Sequence, residues 1–210
     1  MKKSIKKHYE AVVIGVSTGG LDALQRLFSS LTADFRMAVL VVPHQHPHSS
    51  NFLVTHLNAR CRIPVQEALD KAPIHAGVVY IAPPNYHLLV EMDHTLSLAS
   101  TEKVNYARPS IDELFFTAAD AYRSRLIGVI LTGANSDGSR GLQKINAVGG
   151  LTIVQDPSTA EVASMPQAAL NAAQVDYVLP IEQIGTLLTR INSGEEVFYI
   201  ETSASDALVE

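Results

Sequence analysis

Cysteine is almost absent from this 210-residue chain. Cys61 stands alone, which excludes an intrachain disulfide and any zinc or iron–sulfur site built on several cysteines, and is compatible with a cytoplasmic setting. A basic surplus is absent too: the formal net charge is −5, so nothing favours tracking a phosphate backbone, and nucleic acid is not an expected partner. Long apolar runs are missing as well. No stretch approaches the ~20 apolar residues of a spanning helix, so no membrane insertion is expected. The run Ala11 to Val16 behind the N-terminal lysines is too short for a secretory h-region and ends in Gly and Ser, not a cleavage site.

What is present is core-forming material. Hydrophobic residues make up 47% of the chain and charged residues 18%, enough for one self-standing globular domain. Residues 1–10 read as a solvated leader, 11–195 as the domain, and the acidic stretch 196–210 as a tail expected to fray.

Short β-branched runs alternate with helical periodicity. Ala11–Ile14 reads as a buried strand, and Leu21, Leu24, Leu27, Phe28 and Leu31 share one face of the helix after it. Further strands are expected at 39–42, 64–65, 78–82, 126–131, 151–154 and 175–179. Helices are expected around Phe52–Leu57, from Pro109 in a first turn through Tyr122, over 137–148, and around Ile184–Leu188. Tyr86–Glu91 and Thr95–Ala99 read as an antiparallel pair around Asp93-His94, a position that sets His87 and His94 away from the carboxyl edge of the sheet, as surface or packed residues. Continuous apolar strands separated by amphipathic helices imply an α/β fold: a doubly wound, mostly parallel, Rossmann-like sheet with a small antiparallel hairpin.

Ligands of such sheets bind beyond the carboxyl ends of the strands, and three of those turns carry reactive side chains. Gly15-Val16-Ser17-Thr18-Gly19-Gly20 matches Gly-x-Ser-x-Gly, in which a sharp strand-to-helix turn presents a serine hydroxyl and helix-start N–H groups face a developing oxyanion. The same turn could hold a phosphate or a nucleotide, although it lacks both Gly-x-Gly-x-x-Gly and a Gly-Lys-Ser/Thr ending. A non-catalytic domain that keeps the fold for docking is a further alternative. The second turn has His44, His46 and His48 at alternate positions, so either a metal site or one working imidazole among wet neighbours is compatible with it. Pro47 interrupts the extended geometry, and no carboxylate or cysteine ligand follows nearby. The third turn, Thr132 to Gly138, sets Asp137 at the mouth of a helix, where the macrodipole favours a carboxylate and a plain helix-start role is also open. Together the three turns offer a hydroxyl, an imidazole and a carboxylate, the parts of nucleophilic acyl transfer. Their order, Ser, His, Asp, is not that of an α/β-hydrolase.

At these residues the chain resembles the catalytic domain of the chemotaxis protein-glutamate methylesterases, the CheB family. The resemblance rests on Ile14 to Gly20, Val39 to His44, Arg108-Pro109-Ser110-Ile111-Asp112, Leu131 to Gly138 with Gly141-Leu142, Gly149-Gly150 with Gln155-Asp156, and Met165-Pro166, which are collinear from about residue 10 to residue 190. It implies a methylesterase, with possible glutaminase activity, acting on the methylation helices of chemoreceptors without a cofactor or metal. Ser17 would be the nucleophile, His44 the general base and Asp137 its partner, with backbone N–H groups of Thr18 and Ala134 as oxyanion donors. Gly19, Gly20, Arg108 and Met165 would support the substrate or the loops, Met165 and Pro166 by shaping a loop beside the site. Asp112 is read as a capping or first-turn acid and Asp156 as a turn residue before Pro157.

The chain departs from the family pattern in three places. Pro43-His44-Gln45-His46 stands where Gln-His-Met-Pro is usual, so the register alone leaves His46 open, and the spacing from Val39-Leu40 and to Leu57-Asn58 favours His44. Ala134-Asn135 stands where Met-Gly is common. About ten residues precede the first strand, where the archetype has a receiver domain, so phospho-activation within the chain is not expected and a separate receiver or adaptor protein is an implied partner.

Overall fold

In a computed structural model of the chain, residues 8–46 and 48–195 are described. The expected leader is therefore seen only from His8, and Pro47 and the tail over 196–210 lie outside the described residues. Seven strands form one parallel sheet: β1 (Ala11–Val16), β2 (Ala38–Pro43), β3 (Val65–Glu67), β4 (Val79–Ile81), β7 (Leu126–Ile130), β8 (Leu151–Gln155) and β9 (Tyr177–Leu179), in the order β3-β4-β2-β1-β7-β8-β9. β5 (His87–Val90) and β6 (Leu96–Ala99) pair antiparallel as the expected hairpin. The helices are α1 (Gly20–Ser29), α2 (Phe52–Asn58), α3 (Ile111–Tyr122), α4 (Ser139–Ala147), α5 (Ser164–Ala172) and α6 (Ile181–Asn192).

The central strands are apolar on both faces because both faces are covered. Val12, Ile14, Val39 and Val41 pack with Leu24, Phe28, Ile184 and Leu188 of α1 and α6. The alternate residues Ala11, Val13, Leu40 and Val42 pack with Phe115, Leu142 and Ala169 of α3, α4 and α5, and with Leu88 and Leu96 of the hairpin. β1 lies between β2 and β7, in register from Ala11↔Ala38 and Ala11↔Leu126. The chain thus winds outward to one side of β1 and returns on the other, and the crevice at this switch point opens over the carboxyl ends of β2, β1 and β7.

Two expectations are corrected. Pro109 precedes α3 instead of entering its first turn, with Ser110 extended at the N-cap position (φ −106°, ψ 137°). Met165 and Pro166 are not themselves in a loop; they lie in the first turn of α5, where proline's missing N–H leaves no helical bond unmade, and Met165 N–H donates to Gly133 O (2.9 Å) of the 132–138 turn. Gly15 governs how closely α3 can sit on the sheet: a Cβ there would lie 2.9 Å from Cδ1 of Ile111, so its absence lets the start of α3 approach β1.

Candidate active site

Ser17, His44 and the 132–138 turn follow β1, β2 and β7, three adjacent strands, so the topology gathers them at one edge. Backbone bonds hold the turns in place: Ser17 N–H donates to Thr132 O (3.0 Å) and His44 N–H to Val16 O (2.9 Å). Gly20 N–H donates to Ser17 O (2.9 Å), closing the turn into α1, for which Gly19 is the N-cap at φ 78°. Thr132 ties three loops together. Its hydroxyl donates to Thr18 O (2.9 Å) and accepts from Val162 N–H (2.9 Å), while its own N–H donates to the buried Gln155 side chain (2.9 Å).

Asp137 is fully buried and accepts five hydrogen bonds. Oδ2 takes His44 Nε2 (2.9 Å) and Ile111 N–H (2.7 Å); Oδ1 takes Ser110 Oγ (2.9 Å) and the N–H groups of Asp112 and Gly138 (3.1 Å each). The carboxylate therefore sits on the N-terminus of α3, a helix remote in sequence, and not on α4, the helix it precedes. Burial pushes its carboxyl up, but the bonds from His44, Ile111 and Asp112 outweigh that and hold it below its ordinary value.

His44 presents Nε2 to the acid, which leaves Nδ1 as its outward nitrogen, the reverse of the chymotrypsin-type arrangement. Nδ1 receives the Asn135 side-chain amide at 3.2 Å. His46 is exposed, and its Nδ1 accepts from His48 N–H (3.3 Å). The structure thus brings His44, not His46, to Asp137, and the three imidazoles do not converge. Among the described residues no group of three His, Cys, Asp or Glu side chains is placed to hold a metal ion.

Two open clefts share Ser17, His44 and Gln45. One, of about 450 Å³, is lined by Leu21, Pro43, Phe52 and Leu53. The other, of about 420 Å³, is lined by Lys103, Asn105, Arg108 and Asn135. No partner among the described residues takes up the N–H of Thr18 or of Ala134. A half-exposed hydroxyl, an imidazole backed by a buried anion and free N–H groups in two neighbouring turns can together support addition to a carbonyl.

The CheB methylesterase family model matches residues 12–188. The chain belongs to the CheB methylesterase family. A relative from Leptospira interrogans is 50% identical over 185 residues, which cover 88% of this chain and 96% of that one. Relatives named protein-glutamate methylesterase/protein-glutamine glutaminase include one from Trichodesmium erythraeum, 36% identical over 184 residues (86% of this chain), and one from Caulobacter vibrioides, 39% identical over 180 residues (84%). The chain spans about half the length of these two, 52% of each. The CheB methylesterase catalytic domain of Thermotoga maritima superposes with a TM-score of 0.84 at 34% identity, covering 88% of this chain and all of that one.

Arg108, in this CheB-family chain, braces loops: Nε and an Nη donate to Asn85 Oδ1 (3.2 and 2.8 Å), and the other Nη donates to the carbonyls of Ser100 and Thr101 (2.8 and 2.7 Å). Met165 is buried beside Gly133, where a Cβ would lie 2.7 Å from the Met165 methyl and 2.9 Å from Cβ of Ser17. Gly20 faces Val16, and Gly19 faces the Glu161 side chain. Asp112 lies in the first turn of α3, and its carboxylate accepts Gly141 N–H (2.7 Å) of α4 instead of capping its own helix; Asp156 accepts Ser158 N–H and Oγ in its turn.

His87 is corrected. Although on the hairpin, it is 1% exposed beneath the site; its Nδ1 accepts Ser110 N–H (3.2 Å), so Nε2 carries the proton and donates to Glu102 O (3.0 Å). Ser110, Gln155 and Asn135 are the site residues that sequence reasoning passed over in their actual roles. The Ser110-Ile111-Asp112 run ahead of a helix was the available signal for the first.

Proposed function

We propose that this chain is a protein-glutamate methylesterase that hydrolyses glutamyl methyl esters on the methylation helices of chemoreceptors, with deamidation of protein glutamine as a second reaction of the same site. The observation that carries the reading is the 2.9 Å bond between His44 and the buried Asp137 beside Ser17, in a chain of this family. Residues 11–195 are the unit assigned to the activity. A cytoplasmic location follows from a substrate on the receptors' cytoplasmic helices. Among the described residues no helix is long and apolar enough to cross a membrane. A separate receiver or adaptor protein is the partner assigned to regulation.

In the first half-reaction the Ser17 proton passes to Nδ1 of His44 while Oγ attacks the ester carbonyl carbon. Negative charge collects on the carbonyl oxygen, where the N–H groups of Thr18 and Ala134 receive it. The tetrahedral intermediate collapses, the C–O bond to the methoxy group breaks, and the proton on Nδ1 leaves with it as methanol. Water then gives a proton to Nδ1, attacks the acyl-enzyme and restores the Ser17 hydroxyl, releasing the glutamyl acid. Asp137 stays ionised throughout, fixing the tautomer and stabilising the imidazolium. With glutamine the leaving group is ammonia.

A phosphate site at the same turn is the weaker reading. The Ser17 and Gly20 N–H groups are engaged within the protein, and the Glu161 side chain lies against Gly19, where a bound anion would be repelled. Methanol release from membranes bearing methylated chemoreceptors tests the proposal. Release by the wild type and none by Ser17→Ala is expected; equal release by both would overturn the assignment of the nucleophile.

A further inference from the structure

Proton transfer from Ser17 needs one particular lone pair on the base. Nε2 of His44 donates to Asp137, so the neutral ring has a single acceptor position, Nδ1. That position is taken. The Asn135 amide nitrogen lies 3.2 Å from it, and an amide nitrogen only donates. The amide cannot be turned the other way round, because Oδ1 of Asn135 accepts the N–H of Asp137 at 3.1 Å, closing an Asx turn inside the loop. One short side chain thus spans from the backbone of the acid residue to the far nitrogen of the base. Ser17, His44 and Asn135 line the same cleft, and Asn135 is exposed while Asp137 is not.

We propose that Asn135 is a latch on the general base: in the free protein its amide occupies the Nδ1 lone pair that Ser17 requires, and substrate entering the cleft displaces it. The inference rests on the reading of Ser17 as nucleophile and His44 as base. The imidazole is held between two partners, both satisfied, with no acceptor left for the serine proton. Opening releases an exposed amide that is solvated at once, at the cost of its bond to Nδ1 and, if the whole side chain leaves, of the Asx-turn bond from the Asp137 N–H. The chemical consequence is a protein whose hydroxyl is weakly nucleophilic until the cleft is filled. Asn135 is a positioning residue here, since it acts on Ser17 only through His44.

The test is the rate at which a small fluorophosphonate labels Ser17, because so small a reagent does not fill the cleft. Asn135→Ala removes both ends of the latch. Asn135→Ser removes the amide donor and keeps an oxygen able to accept from Asp137 N–H, which guards against a loop that merely collapses. Both variants are expected to label about 2- to 10-fold faster than the wild type, the range one net neutral hydrogen bond supplies, with Asn135→Ser melting at the wild-type temperature. In ¹⁵N spectra the Nδ1 resonance of His44 is expected to move toward that of an acceptor without a partner in both variants. Equal or slower labelling of the two folded variants would overturn the latch and make Asn135 an orienting support instead. Absence of labelling at Ser17 in every form, wild type included, would overturn the underlying assignment of the nucleophile and the latch with it.

Discussion

Asp137 and Asp112 each cap the helix that begins beside the other. The Asp137 carboxylate takes the N–H groups of Ile111 and Asp112 at the start of α3, and the Asp112 carboxylate takes Gly141 N–H in the first turn of α4, which follows Asp137. This crossed pair locks two helices into one corner of the site. The helix-start dipoles and N–H groups that stabilise a buried anion also fix the carboxylate that orients His44.

Replacing Asp137 by Asn is therefore expected to separate shape from charge. The amide oxygen can still accept from α3, but its NH₂ would face His44 Nε2, forcing the proton onto the wrong nitrogen. A fall in kcat of about 10⁴-fold is expected, the size seen when a triad acid becomes an amide, with the fold retained by circular dichroism.

The same two acids should pull stability in opposite directions with pH. The Asp137 carboxyl is held below its ordinary value, so its contribution is present above the unfolded-state pKa and is lost as pH falls through the folded one. Burial raises the Asp112 carboxyl, with the Asp137 charge adding to the rise and the Gly141 N–H opposing it. Its contribution is present below the unfolded-state pKa and is lost as pH rises through the folded one. In urea titrations across the acid range, Asp137→Asn is expected to lose ground to the wild type as pH rises. Asp112→Asn, which keeps an acceptor for Gly141, is expected to gain it.

These roles mark the boundary of what the sequence reveals. The gathering of Ser17, His44 and the 132–138 turn was legible because each follows an apolar strand, and the winding of a parallel sheet puts strand ends on one edge. The anchoring of Asp137 on α3 was not, since an acid before a helix predicts capping of that helix, and only packing brings a second N-terminus within reach. α5 escaped notice for a related reason: its buried residues Met165, Pro166 and Ala169 make a thin apolar stripe, and its opening Met165-Pro166 reads as a break. His87 was placed away from the site because a hairpin position does not tell which loop a packed ring will reach, here the N–H of Ser110.

Gly133 is a packing requirement that the loop sequence conceals. A Cβ there would lie 2.7 Å from the Met165 methyl and 2.9 Å from Cβ of Ser17, closer than such contacts allow. Gly133→Ala is expected to destabilise the fold by about 1–3 kcal/mol, as overpacking does, and to lower activity by displacing Ser17. Adding Met165→Ala should recover part of the stability in urea unfolding. Activity should recover less, because Ser17 remains crowded.

The two histidines of the second turn make the sharpest contrast, since they differ by two positions and share a residue type. His44 is bound through Nε2 to a buried anion, with its side chain 13% exposed. His46 is exposed, with Nδ1 engaged by the His48 N–H and its ring 5.6 Å from that of His48. No contact of His46 reaches Asp137 or Ser17 among the described residues. His44→Ala is expected to lower the rate of methanol release by about 10²–10⁴-fold, the usual contribution of a general base, and to leave the Asp137 carboxylate held only by α3, Ser110 and the Gly138 N–H. His46→Ala is expected to retain activity within about twofold, because an exposed turn residue can be truncated without moving the strand end that carries His44. Loss of activity in His46→Ala with retention in His44→Ala would reverse the assignment and require the turn to rearrange when substrate binds.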